Sequence, residues 1–190
     1  MDSPSPSLVT IRYYLNVPRR LSHLRKSFGF WVEKTLGARR KGISALADVK
    51  YKETKRKENA DIIARLVPQS YINKRCGFSK LSCSLVSPDE KRPDEILFSL
   101  ENWMGGSDYD GELNQYRRYL VNHEFLHCRP FRLDHPHAKA VGMYCTGRFE
   151  SRPLPVMYQQ SRGHSRQTRG CHYNSWPLAE EFESALEESE

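Results

Sequence analysis

Residues His123, Glu124, Phe125, Leu126 and His127 form an HExxH run, and no other feature of this 190-residue chain constrains its fold as tightly. Residues four apart on an α-helix lie on one face, one turn apart. His123 and His127 can therefore turn their ring nitrogens toward a single metal ion. Glu124 between them can act as a general base on a metal-bound water. The run needs a helix here, a third ligand from elsewhere, and a cleft to work in. The helix is legible: from Glu112 to Cys128, Leu113, Tyr116, Leu120, His123 and His127 share roughly one face, and Pro130 prevents a clean continuation. Two helical histidines with no metal are the alternative reading of the same spacing.

Upstream, the pattern alternates between strand and helix. Leu8–Leu15 reads as a strand, rich in β-branched and aromatic residues. Pro18 opens a helix to about Gly37, with Leu21, Leu24, Phe28, Trp31, Val32 and Thr35 near helical spacing. Ala47–Glu53, Asp61–Val67, Leu81–Leu85 and Glu95–Leu100 read as strands, and Gly105-Gly106-Ser107 and Asp110-Gly111 as turns. Beyond Pro130, Gly and Pro recur at intervals, so residues 129–177 are expected to be built from loops. The expected organisation is a disordered start over 1–7, one domain over 8–177 and an acidic tail over 178–190. The order of strand, helix, further strands, HExxH helix and irregular remainder is the layout of a zincin catalytic domain.

Composition bounds the partners. The net charge is +7 and the isoelectric point about 9.2. The six glutamates between Pro177 and Glu190 leave +13 on the rest of the chain. Basic residues crowd the first third, among them Arg19, Arg20, Arg25, Lys26, Arg39, Arg40, Lys41, Lys50, Lys52, Lys55, Arg56 and Lys57. Such a field can attract an acidic protein or a nucleic acid, or can be a solvated basic face. No run approaches the roughly 20 apolar residues of a membrane span. The start Met1-Asp2-Ser3-Pro4-Ser5-Pro6 lacks the basic and apolar regions of a signal peptide, so the default expectation is an intracellular product. The five cysteines, Cys76, Cys83, Cys128, Cys145 and Cys171, include no CxxC pair and are reduced by that default.

A catalytic metal needs a third protein ligand and one open position. In the extended metzincin pattern HExxHxxGxxH, a glycine turns the chain away three residues after the second histidine, and a third histidine follows at six. Those positions hold Pro130 and Leu133 here; His135 and His137 lie just beyond. Cys128, Asp134 and His164 are further candidates.

Several segments together carry a resemblance. Tyr116-Arg117-Arg118-Tyr119-Leu120-Val121-Asn122-His123-Glu124 is followed by Pro155-Val156-Met157-Tyr158-Gln159-Gln160, Gly170-Cys171 and Asn174-Ser175-Trp176-Pro177. The set resembles a zincin-like metallopeptidase domain family of mostly actinobacterial proteins. That family joins an extended HExxH helix to a P-V-M-x-Q-Q turn and ends in G-C and N-x-W-P. With Cys76, Cys83, Asn102-Trp103 and Gly111-Glu112-Leu113, the similarity runs from about Cys76 to Pro177; residues 8–75 match only in layout.

The resemblance implies an α+β, zincin-like (metzincin-type) fold with a mixed sheet, an N-terminal helix, the HExxH helix and a loop-rich lower subdomain. It implies Zn²⁺ held by His123, His127 and a histidine of Leu133-Asp134-His135-Pro136-His137. The family's L-G-H-G-H favours His137, with His135 the alternative. It implies Met157 as the methionine of a turn packed under the ligands, and pairing of Cys76 with Cys83 and of Cys145 with Cys171, which would suit an extracellular or virion setting. Tyr144 and Tyr158 are candidates to stabilise an oxyanion. The functional expectation is a zinc-dependent peptidase acting on a protein or peptide, with Glu124 as base. The alternative is a non-enzymatic structural or binding protein that retains the fold.

Overall fold

The computed structural model describes residues 8–77, 81–106, 108, 109, 111–136, 145, 152–162 and 170–182. Residues 1–7, His137, Tyr144, His164 and the acidic residues beyond 182, all named above, lie outside the described residues. The architecture is α+β. Strands β1 (Val9–Asn16), β2 (Val49–Glu53), β3 (Ile62–Val67), β4 (Cys83–Leu85) and β5 (Asp94–Ser99) form one mixed sheet in the order β2-β1-β3-β5-β4. All neighbours pair parallel except β4, which runs antiparallel to β5 and is an outer edge.

Side chains alternate across the strands and so divide the core. One face of the sheet contributes Ile11, Tyr13, Leu15, Ile62, Ala64, Leu66, Ile96 and Phe98 to the main cluster. Two helices cover it: α1 (Arg25–Leu36), through Phe28, Val32 and Leu36, and α5 (Leu113–Leu126). Val67 and Leu97, with Cys83, pack against Ile72 of α3 (Gln69–Cys76) in a second cluster. Phe28, Phe98 and Trp103 meet edge to face at 4.9–5.8 Å, geometry worth about 0.5–1.5 kcal/mol per pair beyond area burial.

The strands expected from the sequence lie within one or two residues of those found. The helix expected over 18–37 is divided: a 3-10 segment, Arg19–Leu24, is kinked at Leu21 (φ −110°), and α1 begins only at Arg25. Three short helices had no expectation: α2 (Ile43–Leu46), α3 and α4 (Leu100–Gly105). Ile72 is the one buried residue of α3, too little for an apolar period to register. Gly77 (φ +73°) and Gly106 (φ +82°) end α3 and α4 in the left-handed conformation that glycine adopts without strain.

The described residues from Arg129 onward contain little regular structure. β6 (Arg152–Pro153) and β7 (Cys171–His172) pair in parallel. Of the acidic segment expected over 178–190, residues 178–182 turn back onto the body, where Glu181 and Phe182 are buried and Phe182 meets the Phe131 ring at 5.2 Å. Among the described residues no helix is long and apolar enough to cross a membrane.

Candidate metal centre

Helix α5 builds the site. Its second half, Tyr119 to Leu126, is buried on every side, as a central helix must be. Three of those residues, Asn122, His123 and Glu124, are polar, and a buried polar group without a partner costs about 1–3 kcal/mol. Asn122 Nδ2 donates to the Ser175 carbonyl at 2.8 Å. His123 Nδ1 lies 2.7 Å from the Val156 carbonyl, and His127 Nδ1 lies 2.7 Å from the Leu133 carbonyl. A carbonyl can only accept, so both Nδ1 atoms carry the proton and both Nε2 atoms are left with a bare lone pair.

Those lone pairs converge. The Nε2 atoms of His123 and His127 are 3.3 Å apart, those of His127 and His135 3.2 Å, and those of His135 and His123 3.1 Å. Ligand nitrogens about 2.0–2.1 Å from a tetrahedral ion stand roughly 3.3–3.4 Å from one another, so the triangle fits such an ion. Burial holds the His123 ring well below its ordinary pKa, and the neighbouring His127 and His135 add to this; the Val156 bond acts the other way. Burial also lowers His127. Neutral rings are the form a metal binds.

The route to the third histidine explains the broken pattern. Leu133, at the sixth position after His127, supplies the carbonyl that orients His127 instead of a ring. The turning function of the pattern's glycine falls to Arg132, at φ 55°, two residues later than Pro130. His135 follows Arg132 by three residues, the spacing from glycine to histidine in the pattern. A two-residue shift thus preserves the local geometry, at a cost of about 1 kcal/mol for a left-handed non-glycine residue. The structure brings His135, the alternative ligand, to the cluster; the preferred His137 lies outside the described residues. Cys128 is buried in the main core and Asp134 lines the cleft, and neither is a member of the described metal-binding group.

Glu124 opens onto the same cleft of about 630 Å³, lined also by Leu81, Ser82, Cys83, Ser84 and Gln159. Burial pushes its carboxyl up to about 7, while a bond from Ser84 acts the other way. Ser84 Oγ, on edge strand β4, lies 2.7 Å from Glu124 Oε2 and 3.0 Å from the Glu124 carbonyl. The side-chain amide of Gln159 lies 3.1 Å from His135 Nε2. Tyr158 does not line the cleft, nor do the basic residues of the first third.

The segment that carries the Val156 carbonyl is secured by side chains. Met157 is buried in a turn closed by Tyr158 N–H donating to the Pro155 carbonyl at 3.0 Å. Tyr119 Oη donates to the Tyr158 carbonyl at 3.1 Å and accepts from Gln160 N–H at 3.0 Å. Buried Gln160 donates to the Pro155 carbonyl and accepts from Asn174 N–H, and Asn174 in turn donates to the Leu154 carbonyl. Cys145 is bonded to Cys171, and Cys76 to Cys83, leaving Cys128 as the free cysteine. A Cβ on Gly170 would lie 1.8 Å from the Cys145 carbonyl oxygen, so the bridge needs glycine there. The two bridges are compatible with an oxidising, extracellular setting.

Sequence reading missed Ser84, the carbonyls of Val156 and Leu133, and Glu181. A carbonyl has no sequence signature. Ser84 is one serine among several, and Glu181 one glutamate among six. Gln159 was visible only as part of the P-V-M-x-Q-Q run.

Among curated proteins, none matches the chain. Residues 9–179 match the family described as "Protein of unknown function (DUF3152)", and the chain belongs to that family.

Proposed function

We propose that this chain is a zinc-dependent peptidase of zincin-like fold. One observation carries the reading: three histidine Nε2 atoms stand 3.1–3.3 Å apart beside a buried glutamate in one cleft. His123, His127 and His135 would hold Zn²⁺, and three protein ligands leave a fourth position open. Bound there, zinc supplies a Lewis acid and lowers the pKa of its water to about 7.

The remaining steps belong to the chain. Glu124, held by Ser84, takes a proton from the water that attacks the scissile carbonyl carbon. As the C–N bond breaks, the same carboxyl returns that proton to the leaving amine. The Gln159 amide, beside the ligand nitrogens, is a donor for the substrate's carbonyl oxygen. Edge strand β4 flanks the cleft through Cys83 and Ser84, and an extended peptide can add to such an edge by backbone hydrogen bonds.

Glu124→Gln tests this. It removes the base and no ligand, so the variant should retain one zinc per chain while cleavage of an unfolded protein falls by about 10²–10⁴. Wild-type cleavage should also stop on chelation. Absence of chelator-sensitive cleavage across a broad peptide library would overturn the reading.

A further inference from the structure

We infer that Glu181 is a positioning residue for the metal centre, reaching it through the turn at Val156-Met157; the inference rests on the three-histidine site proposed above. Glu181 belongs to the acidic C-terminal segment and lies beyond the residues 9–179 matched by the family. Unlike an ordinary tail glutamate, it is buried, 9% exposed. Its Oε1 accepts the Met157 N–H at 2.8 Å and its Oε2 the Leu178 N–H at 2.8 Å. The Val156 N–H is a further donor to the carboxylate.

Each of these bonds has a consequence at the site. Fixing the Val156 and Met157 N–H groups fixes the peptide planes on either side of Val156. The Val156 carbonyl is the acceptor 2.7 Å from His123 Nδ1, and that bond sets which His123 nitrogen is bare and where it points. A ligand's partner of this kind commonly changes metal affinity 10–100-fold when lost. Glu181 acts one bond further out, so its effect belongs at the lower end of that range. The Leu178 bond closes the carboxylate's own turn and keeps residues 178–182 docked. Residues 178–182 therefore act as a strap on the Val156-Met157 turn.

Cobalt(II) binding to the full chain tests this without requiring peptidase activity. Tetrahedral cobalt gives a visible absorption band that reports ligand geometry as well as affinity. Glu181→Ala should weaken cobalt binding by about tenfold and shift the band. Glu181→Gln, which keeps one carbonyl acceptor and nearly the same shape, should fold as the wild type does and fall between the two. Val32→Ala, a buried truncation in α1, should lower stability and leave affinity and band unchanged. Wild-type affinity and band in both Glu181 variants would overturn the positioning role while leaving the three-histidine site intact. A folded wild type that gives no tetrahedral cobalt band would overturn the site itself and this inference with it.

Discussion

From Val9 to Ser99 regular structure meets the backbone's polar groups, in helices and in β ladders that are parallel through β2-β1-β3-β5 and antiparallel at β4. From Arg129 to Phe182 the described ladder is a single two-residue pair, and side chains take over: Tyr119, Asn122, Gln160, Asn174 and Glu181 all bind backbone groups of this half. The candidate site lies on the seam. His123 and Glu124 come from α5 and His127 caps it in helical geometry, so helical periodicity sets their relative positions. His135, Gln159 and the carbonyls of Val156 and Leu133 come from the other half. The candidate ligand pair is thus fixed by regular backbone, whereas His135 and the tautomers of His123 and His127 depend on irregular chain held by side chains.

The largest effect that can break this comparison concerns the third ligand. His135→Ala should abolish stoichiometric metal retention against a competing chelator, because two histidines alone leave the ion half coordinated. His137→Ala should retain it. Metal content of the two dialysed variants decides the matter. If His137→Ala loses the ion and His135→Ala keeps it, the loop delivers a different residue and the Arg132 turn does not serve the site.

Next comes the clamp that joins the halves. Asp94, at the start of β5, is fully buried and takes the Arg129 guanidinium on both oxygens at 3.1 Å, together with the Arg129 and Ser87 N–H groups. Arg129 also binds the carbonyls of Glu90 and Arg92. Asp94→Ala leaves a largely buried guanidinium unpaired and should cost about 3–5 kcal/mol in denaturant unfolding. Burial alone would raise the Asp94 carboxyl; the Arg129 and Ser87 bonds outweigh it and hold the carboxyl below the ordinary value of 3.8. A depressed folded-state pKa gives stability that is present above the unfolded value and lost as pH falls through the folded one. The wild type should therefore lose stability on acidification below about pH 4 more steeply than Asp94→Ala. Parallel acid profiles would show that the pair contributes nothing through ionisation.

What the sequence disclosed follows the same seam. The strands were legible because β-branched and aromatic residues crowd them: Ile11, Tyr13 and Tyr14 in β1, Ile62, Ile63 and Val67 in β3, Ile96 and Phe98 in β5. The HExxH helix was legible because its two histidines are defined by spacing alone. Short helices such as α3, with Ile72 as its one buried anchor, left no period to read. In the loop half, Gln160 and Asn174 could be picked out only through the resemblance, because a side chain that holds a carbonyl distant in sequence leaves no local pattern. The two-residue shift that brings His135 to the cluster depends on Arg132 adopting φ 55°, and arginine does not announce that conformation. Glu181 was hidden by its company, in a run of glutamates.

The smallest effect gives the sharpest test of whether order in the loop half reaches the site. Gln160 is fully buried, and its amide joins the Pro155 carbonyl to the Asn174 N–H. Gln160→Ala removes both bonds and leaves the Asn174 N–H without this acceptor, while Pro155 keeps the Tyr158 N–H; the loss should cost about 1–3 kcal/mol. Ser99→Ala is its counterpart in the sheet half. It removes the cap that Ser99 Oγ provides to Asn102 N–H at the start of α4, at a cost of about 1 kcal/mol. Thermal unfolding should register both variants, whereas metal affinity should separate them. Pro155 directly precedes the carbonyl that orients His123, so Gln160→Ala should weaken metal binding several-fold, and Ser99→Ala should leave it unchanged. Equal affinities in the two variants would mean that helix α5 alone sets the ligand geometry and that the loop half merely covers it.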